Sequence, residues 1–111
     1  MGAESCRGRK YIVYTMIDRR HHNESRTQET GQALQNDYMP KLQNAPGFVG
    51  FYLVEDKEQG VMTAVIVWES KTHADAFRHE GESWQRTLEE HGHTQQSFNE
   101  GETVVQVEAK K

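Results

Sequence analysis

Residues 48–54, FVGFYLV, and 61–68, VMTAVIVW, are strand-like runs that carry apolar side chains on both of their faces. Side chains alternate across a strand. In the first run Phe48, Tyr52 and Val54 share one face and Val49, Phe51 and Leu53 the other; in the second, Val61, Val65 and Val67 stand opposite Met62, Ala64, Ile66 and Trp68. A chain of 111 residues builds one domain with one modest core. Its own helices can cover one side of such a sheet. The other side needs a different cover.

The rest of the chain supplies the partners for these runs. KYIVYTMI (10–17) reads as a first strand, rich in β-branched and aromatic residues, with Tyr11, Val13 and Ile17 opposite Ile12, Tyr14 and Met16. Residues 18–24 read as a polar loop. Ser25, with Gln28 three residues later, has the spacing of a capping box opening a helix. Leu34, Tyr38 and Leu42 recur every four residues as its buried stripe, and Pro40 is expected to kink it before NAPG (44–47) ends it. Residues 55–60 form a polar hairpin connection that ends in Gly60.

Ser70 is placed to cap a second helix whose apolar stripe is Ala74, Phe77, Gly81, Trp84 and Leu88, with Gly81 expected to divide it in two. Residues 91–102 read as a return loop anchored by Phe98, and TVVQV (103–107) as the last strand. The order β-α-β-β-α-β is that of an α+β ferredoxin-like antiparallel sheet with its helices on one face. The expected boundaries are a loose tail at 1–9, one domain at 10–108 and a short tail at 109–111.

A single ferredoxin-like unit leaves its second sheet face to water, and such a face normally shows polar alternation. Here it would expose about a dozen apolar side chains, more than the roughly 300–600 Å² patches that monomers carry. A standard interface buries about 800 Å² per partner, close to the area of such a face. An isologous homodimer through the sheet face is the expected solution, although the pattern does not say which face meets the partner.

Composition narrows the alternatives. The net charge of −4 argues against a phosphate-backbone binder. RNA-recognition motifs share the element order, but their Gly-Phe-aromatic motif belongs on the third strand, and Pro46 stands where a Lys or Arg belongs. No nucleic acid is expected. No run approaches the roughly 20 apolar residues of a membrane span, and the start lacks the apolar stretch of a secretion signal. Cys6 is the only cysteine, so no internal disulfide can form and a cytoplasmic setting is expected. His21 and His22 share a charged loop, and no Cys or carboxylate pattern at metal spacing joins the six histidines, so no metal site is expected.

APGFVGFYLV (45–54), a short hairpin, and TAVIVWESKTHADAF (63–77) together resemble the antibiotic biosynthesis monooxygenase (ABM) domain of the dimeric α/β-barrel superfamily. The resemblance runs in order from about residue 10 to 108. It implies a dimer and a ligand site between sheet and helices. It also implies a cofactor-independent monooxygenase acting on a small aromatic or quinol-type compound. On that reading a phenol or quinol is deprotonated and reacts directly with oxygen in a dry pocket, with a base and donors for the developing oxyanion.

The candidate bases are His79 and His91, and the candidate wall residues are Tyr14, Tyr52, Trp68, Phe77 and Trp84. A small hydrophobic or aromatic ligand and no cofactor are implied. A non-catalytic, ligand-binding or stress-related dimer is the alternative. The haem-degrading branch of the superfamily is the less favoured one. That branch uses an Asn on the first strand, which YIVYTMI lacks, and a helix Trp where this chain has Phe77; only His91 or His93 could stand for its histidine.

Overall fold

The computed structural model describes residues 13–107 and 109. Tyr14–His21 form β1, Phe48–Asp56 β2, Val61–Trp68 β3 and Gln95–Glu102 β4. The strands make one antiparallel sheet in the order β2-β3-β1-β4. A one-turn 3-10 helix at Glu24–Arg26, α1 (Thr27–Ala33), a π-helical turn (Leu34–Tyr38) and α2 (Met39–Gln43) form the first crossover. The second is α3 (Lys71–Ala76) followed by α4 (Arg78–Glu90). The architecture is the ferredoxin-like βαββαβ sheet with helices on one face. Its core joins Tyr14, Tyr38, Leu42, Met62, Trp68, Ala74, Phe77, Trp84 and Leu88 between sheet and helices.

Several boundaries differ from those read in the sequence. Residues 10–12 lie outside the described residues, and β1 runs on through the polar stretch 18–21. It can do so because alternation places Asp18 and Arg20 on the helix side, where they pair with each other, and Arg19 and His21 on the other. The capping box does not form. The Ser25 hydroxyl donates instead to Asn23 Oδ1, and Asn23 ties the segment down by donating Nδ2–H to the His91 carbonyl. Pro40 acts through the turn before it. A proline ring crowds the carbonyl four residues back, and the wide π-turn at Leu34–Tyr38 directly precedes the segment that holds it.

The pairing of β2 with β3 slips at Val49. One extra residue changes the face of everything before it. Phe48 therefore joins Phe51 and Leu53 on the helix side, with its ring 5.7 Å from Trp68, rather than sharing a face with Tyr52 and Val54. Ser70 does cap α3, accepting the His73 amide. The helix break falls at Phe77, four residues before Gly81, which sits inside α4.

The largest correction is the last strand. It is Gln95–Glu102, the stretch read as a loop; Thr103 adds one more bond by donating its amide to the Val13 carbonyl, and residues 104–107 leave the sheet with Val104, Val105 and Val107 exposed. β4 is an edge strand held to β1 by main-chain bonds, and its outward side chains need no apolar partner. Only Phe98 among its apolar residues turns toward the helices.

Gly47 closes the turn after α2 with φ +79°, and a Cβ there would overlap the His73 ring. A side chain in this region of φ costs about 1–2 kcal/mol. Gly47→Ala is expected to lower the unfolding midpoint in urea accordingly. Adding His73→Ala should recover the share of the steric loss owed to the ring, and leave the 2.7 Å approach to the residue 73 Cβ and the conformational part. Full stability of Gly47→Ala would refute the account.

Candidate functional site

Between the sheet and the two crossovers lies a cavity of about 280 Å³, near the lower bound for small-molecule sites. Its position follows from alternation. Met16 and Asp18 on β1, Phe51 on β2, Ala64, Ile66 and Trp68 on β3 and Phe98 on β4 all point to the helix side. Ala64 is small, and Gly81 on α4 has no atom within 4 Å of where a Cβ would stand, so the space between them stays open.

The wall is aromatic. Tyr38 stacks on Trp84 with ring centroids 4.8 Å apart and an interplanar angle of 10°. Phe51 meets Tyr38 edge-on at 5.9 Å, and Phe77 lies 5.2 Å from Trp68. Flat faces in these geometries suit a flat apolar ligand.

One end of the cavity is polar. Asp18, 9% exposed, accepts Arg20 Nε at 2.8 Å on Oδ2 and Gln95 Nε2 at 2.9 Å on Oδ1. Arg20, itself buried, also donates Nη1 to Glu89 at 2.7 Å and to the His93 carbonyl at 2.9 Å. The Tyr38 hydroxyl meets no hydrogen-bond partner among the described residues. Burial and then the Asp18 charge push it well above the ordinary tyrosine range, so its O–H stays a donor. The buried Trp68 Nε1–H also lacks a partner among the described residues.

Of the residues singled out in the sequence, Trp68, Phe77 and Trp84 line this cavity together. Tyr14 sits beside it in the core and donates to Glu100 at 2.7 Å, a bond that raises its pKa; Glu100 also accepts Arg78. Tyr52 stands on the opposite sheet face, 61% exposed, because it pairs with Val65, whose side chain turns away from the helices. His79 is exposed on α4 and does not line the cavity.

His91 belongs to a separate cluster. His93 Nδ1 accepts the Asn23 amide, which leaves Nε2–H to donate to Thr30 Oγ1 at 2.8 Å; Thr30 can then donate to His91 Nδ1 at 2.7 Å. His22 stacks on His93 at 5.5 Å, with its Nε2 3.2 Å from Glu55. Burial, then the neighbouring His22, His91, Arg20 and His21, push His93 down to about 4. Among the described residues no group of three or more His, Cys, Asp or Glu is arranged to hold a metal ion.

Asp18, Tyr38, Gln95 and Arg78 are site residues that reading the sequence did not single out as such. A signal existed for one of them. Asp18 and Arg20 are an opposite-charge pair two residues apart, in phase with the inward face of a strand.

The family model described as antibiotic biosynthesis monooxygenase matches residues 13–92. Among solved structures, a heme-degrading protein of Mycobacterium tuberculosis superposes with a TM-score of 0.65 at 20% identity, over 90% of this chain and 100% of that one. A monooxygenase of Streptomyces coelicolor in complex with nanaomycin D gives 0.64 at 8% identity, over 91% and 93%. A dimeric ferredoxin-like protein from an uncultured marine organism gives 0.61 at 18%, over 88% and 99%. No curated protein matches. Among the described residues, no helix is long and apolar enough to cross a membrane.

Proposed function

Since the chain belongs to the antibiotic biosynthesis monooxygenase family, we propose that it is a homodimeric, cofactor-independent monooxygenase acting on a small aromatic phenol or quinol. The aromatic box of Tyr38, Phe51, Trp68, Phe77 and Trp84, closed at one end by Asp18, carries this reading. The similar Streptomyces monooxygenase with nanaomycin D bound supports a flat aromatic ligand. The dimeric relative and the apolar sheet face support a second copy.

The chemistry asks little of the protein. A base removes a proton from the ring hydroxyl or an activated ring CH₂, and the resulting anion passes electrons to O₂. One oxygen atom enters the ring as a carbonyl where the CH₂ stood, and the other leaves as water. The walls exclude solvent, which strengthens every charge interaction inside. Neither His79 nor His91 lines the cavity, so we assign the base role to Asp18. The unpartnered Tyr38 O–H is the donor available to a developing oxyanion.

Haem does not fit this site. No histidine lines the cavity and His91 and His93 are engaged with Thr30, so the lining offers the iron no axial imidazole.

Oxygen uptake with anthrone or a dihydroxynaphthalene tests the reading. Turnover is expected in the wild type and a loss of at least tenfold in Trp84→Ala, which removes the face that Tyr38 stacks on. Tight binding with no oxygen consumed would assign the cavity to ligand carriage instead.

A further inference from the structure

Resting on the small-aromatic reading above, we propose that Asp18 makes the cavity select ligands that present an O–H or N–H donor and reject ligands that present a carboxylate.

The charges that line the cavity set this preference. Asp18 is fixed by Arg20 and Gln95, but each of its oxygens has lone pairs to spare beyond those two bonds. Arg20 offers a ligand no compensating charge, because Asp18 and Glu89 both pair with it and it lies 2% exposed behind Asp18. At the other end Arg78 is the one cation among the described lining residues, and its Nε and Nη2 donate to Asp75 and Glu100. Asp75 is also paired with Lys71, so the charges at that end balance. Glu82 adds a further negative charge to the lining. An anionic ligand would meet the Asp18 carboxylate and Glu82 and, among the described lining residues, no free cation.

A neutral hydroxyl fits well. It can donate to Asp18 while its oxygen accepts from Tyr38, whose hydroxyl is otherwise unpartnered in a residue only 3% exposed. A site built to bond a donor penalises analogues that lack one, since its buried polar groups are then left unpaired.

Calorimetric titration of the wild type at neutral pH with 1-naphthol, 1-methoxynaphthalene and 1-naphthoate tests this. The three probes share a ring and differ in offering a donor, no donor and a negative charge. Naphthol is expected to bind at least tenfold more tightly than either of the others. In Asp18→Asn the preference over naphthoate should fall at least tenfold. That variant keeps an acceptor oxygen for Arg20, and Gln95 can reverse its amide to meet the new NH₂. The wild-type ranking decides the matter even if the variant does not fold. Equal binding of the three probes would overturn this inference and leave the aromatic-ligand reading standing. Binding of none of them would overturn both.

Discussion

Sedimentation at micromolar concentration is expected to show a dimer for the wild type and a monomer for Val65→Lys. Val65 lies at the middle of the sheet face turned away from the helices, on an interior strand, with Ile17 as its partner on β1 and Tyr52 on β2. Around it Ile17, Tyr52 and Val54 are 39%, 61% and 57% exposed, an apolar surface with no cover from the chain's own described segments.

In an isolated protomer a lysine at this position can run its stem along the sheet and keep its ammonium in water, so the fold survives. Across a sheet-to-sheet interface the same charge would be buried without a partner. That costs about 3–5 kcal/mol, and twofold symmetry applies it on both sides. A dissociation constant weakened by at least a hundredfold puts the variant in the monomeric regime. Near-UV circular dichroism confirms that it is folded. A wild type that is monomeric at every micromolar concentration, or a lysine variant that still pairs, would remove the homodimer.

Acid is expected to destabilise the protein between about pH 6.5 and pH 4, mainly through His93. This histidine is fully buried, and its folded-state pKa is pushed down to about 4 from an ordinary 6.5. Between those values the unfolded chain binds a proton that the native state refuses. The contribution is therefore fully present above pH 6.5 and is lost as pH falls toward 4, to a total of roughly 3 kcal/mol.

Structure explains the refusal. Nδ1 is occupied as an acceptor of the Asn23 amide, and the positive Arg20 guanidinium bonds the His93 carbonyl. Carboxylates held low by their partners, such as Asp75 beside Lys71 and Arg78, lose their contribution below this window. Urea unfolding at pH 7.5 and pH 4.5 measures the effect, and His93→Gln should flatten the slope. A wild type equally stable at both values would contradict it.

What could be read from the residues, and what could not, divides along physical lines. β3 was legible to the residue because both of its faces are buried or half-buried, so all its positions but Thr63 are apolar. The stripe of Tyr38 and Leu42, and that of Ala74, Phe77, Trp84 and Leu88, was legible for the same reason. β4 was not. QQSFNEGE carries no β signal of its own, and its strand conformation comes from the hydrogen bonds offered by β1, a tertiary effect that outweighs local preference. The valines at 104, 105 and 107 had the propensity but meet no partner strand among the described residues.

The candidate site divides likewise. Its aromatic half announced itself through large residues at helical spacing. Its polar half did not, because Asp18 gains meaning only when Gln95, far along the chain, is brought to 2.9 Å. The slip at Val49, which turns Phe48 inward, leaves no trace in the alternation itself.

Gly81 is a poor helix former placed inside α4, where it weakens the helix by about 1 kcal/mol relative to alanine. A Cβ there would meet nothing beyond its own helix within 4 Å, and the residue borders the cavity. The helix gives up strength there to keep a volume vacant. Among descendants of this chain, that one position is a dial: each added methyl would trade guest size for rigidity while the aromatic walls and the carboxylate stayed as they are.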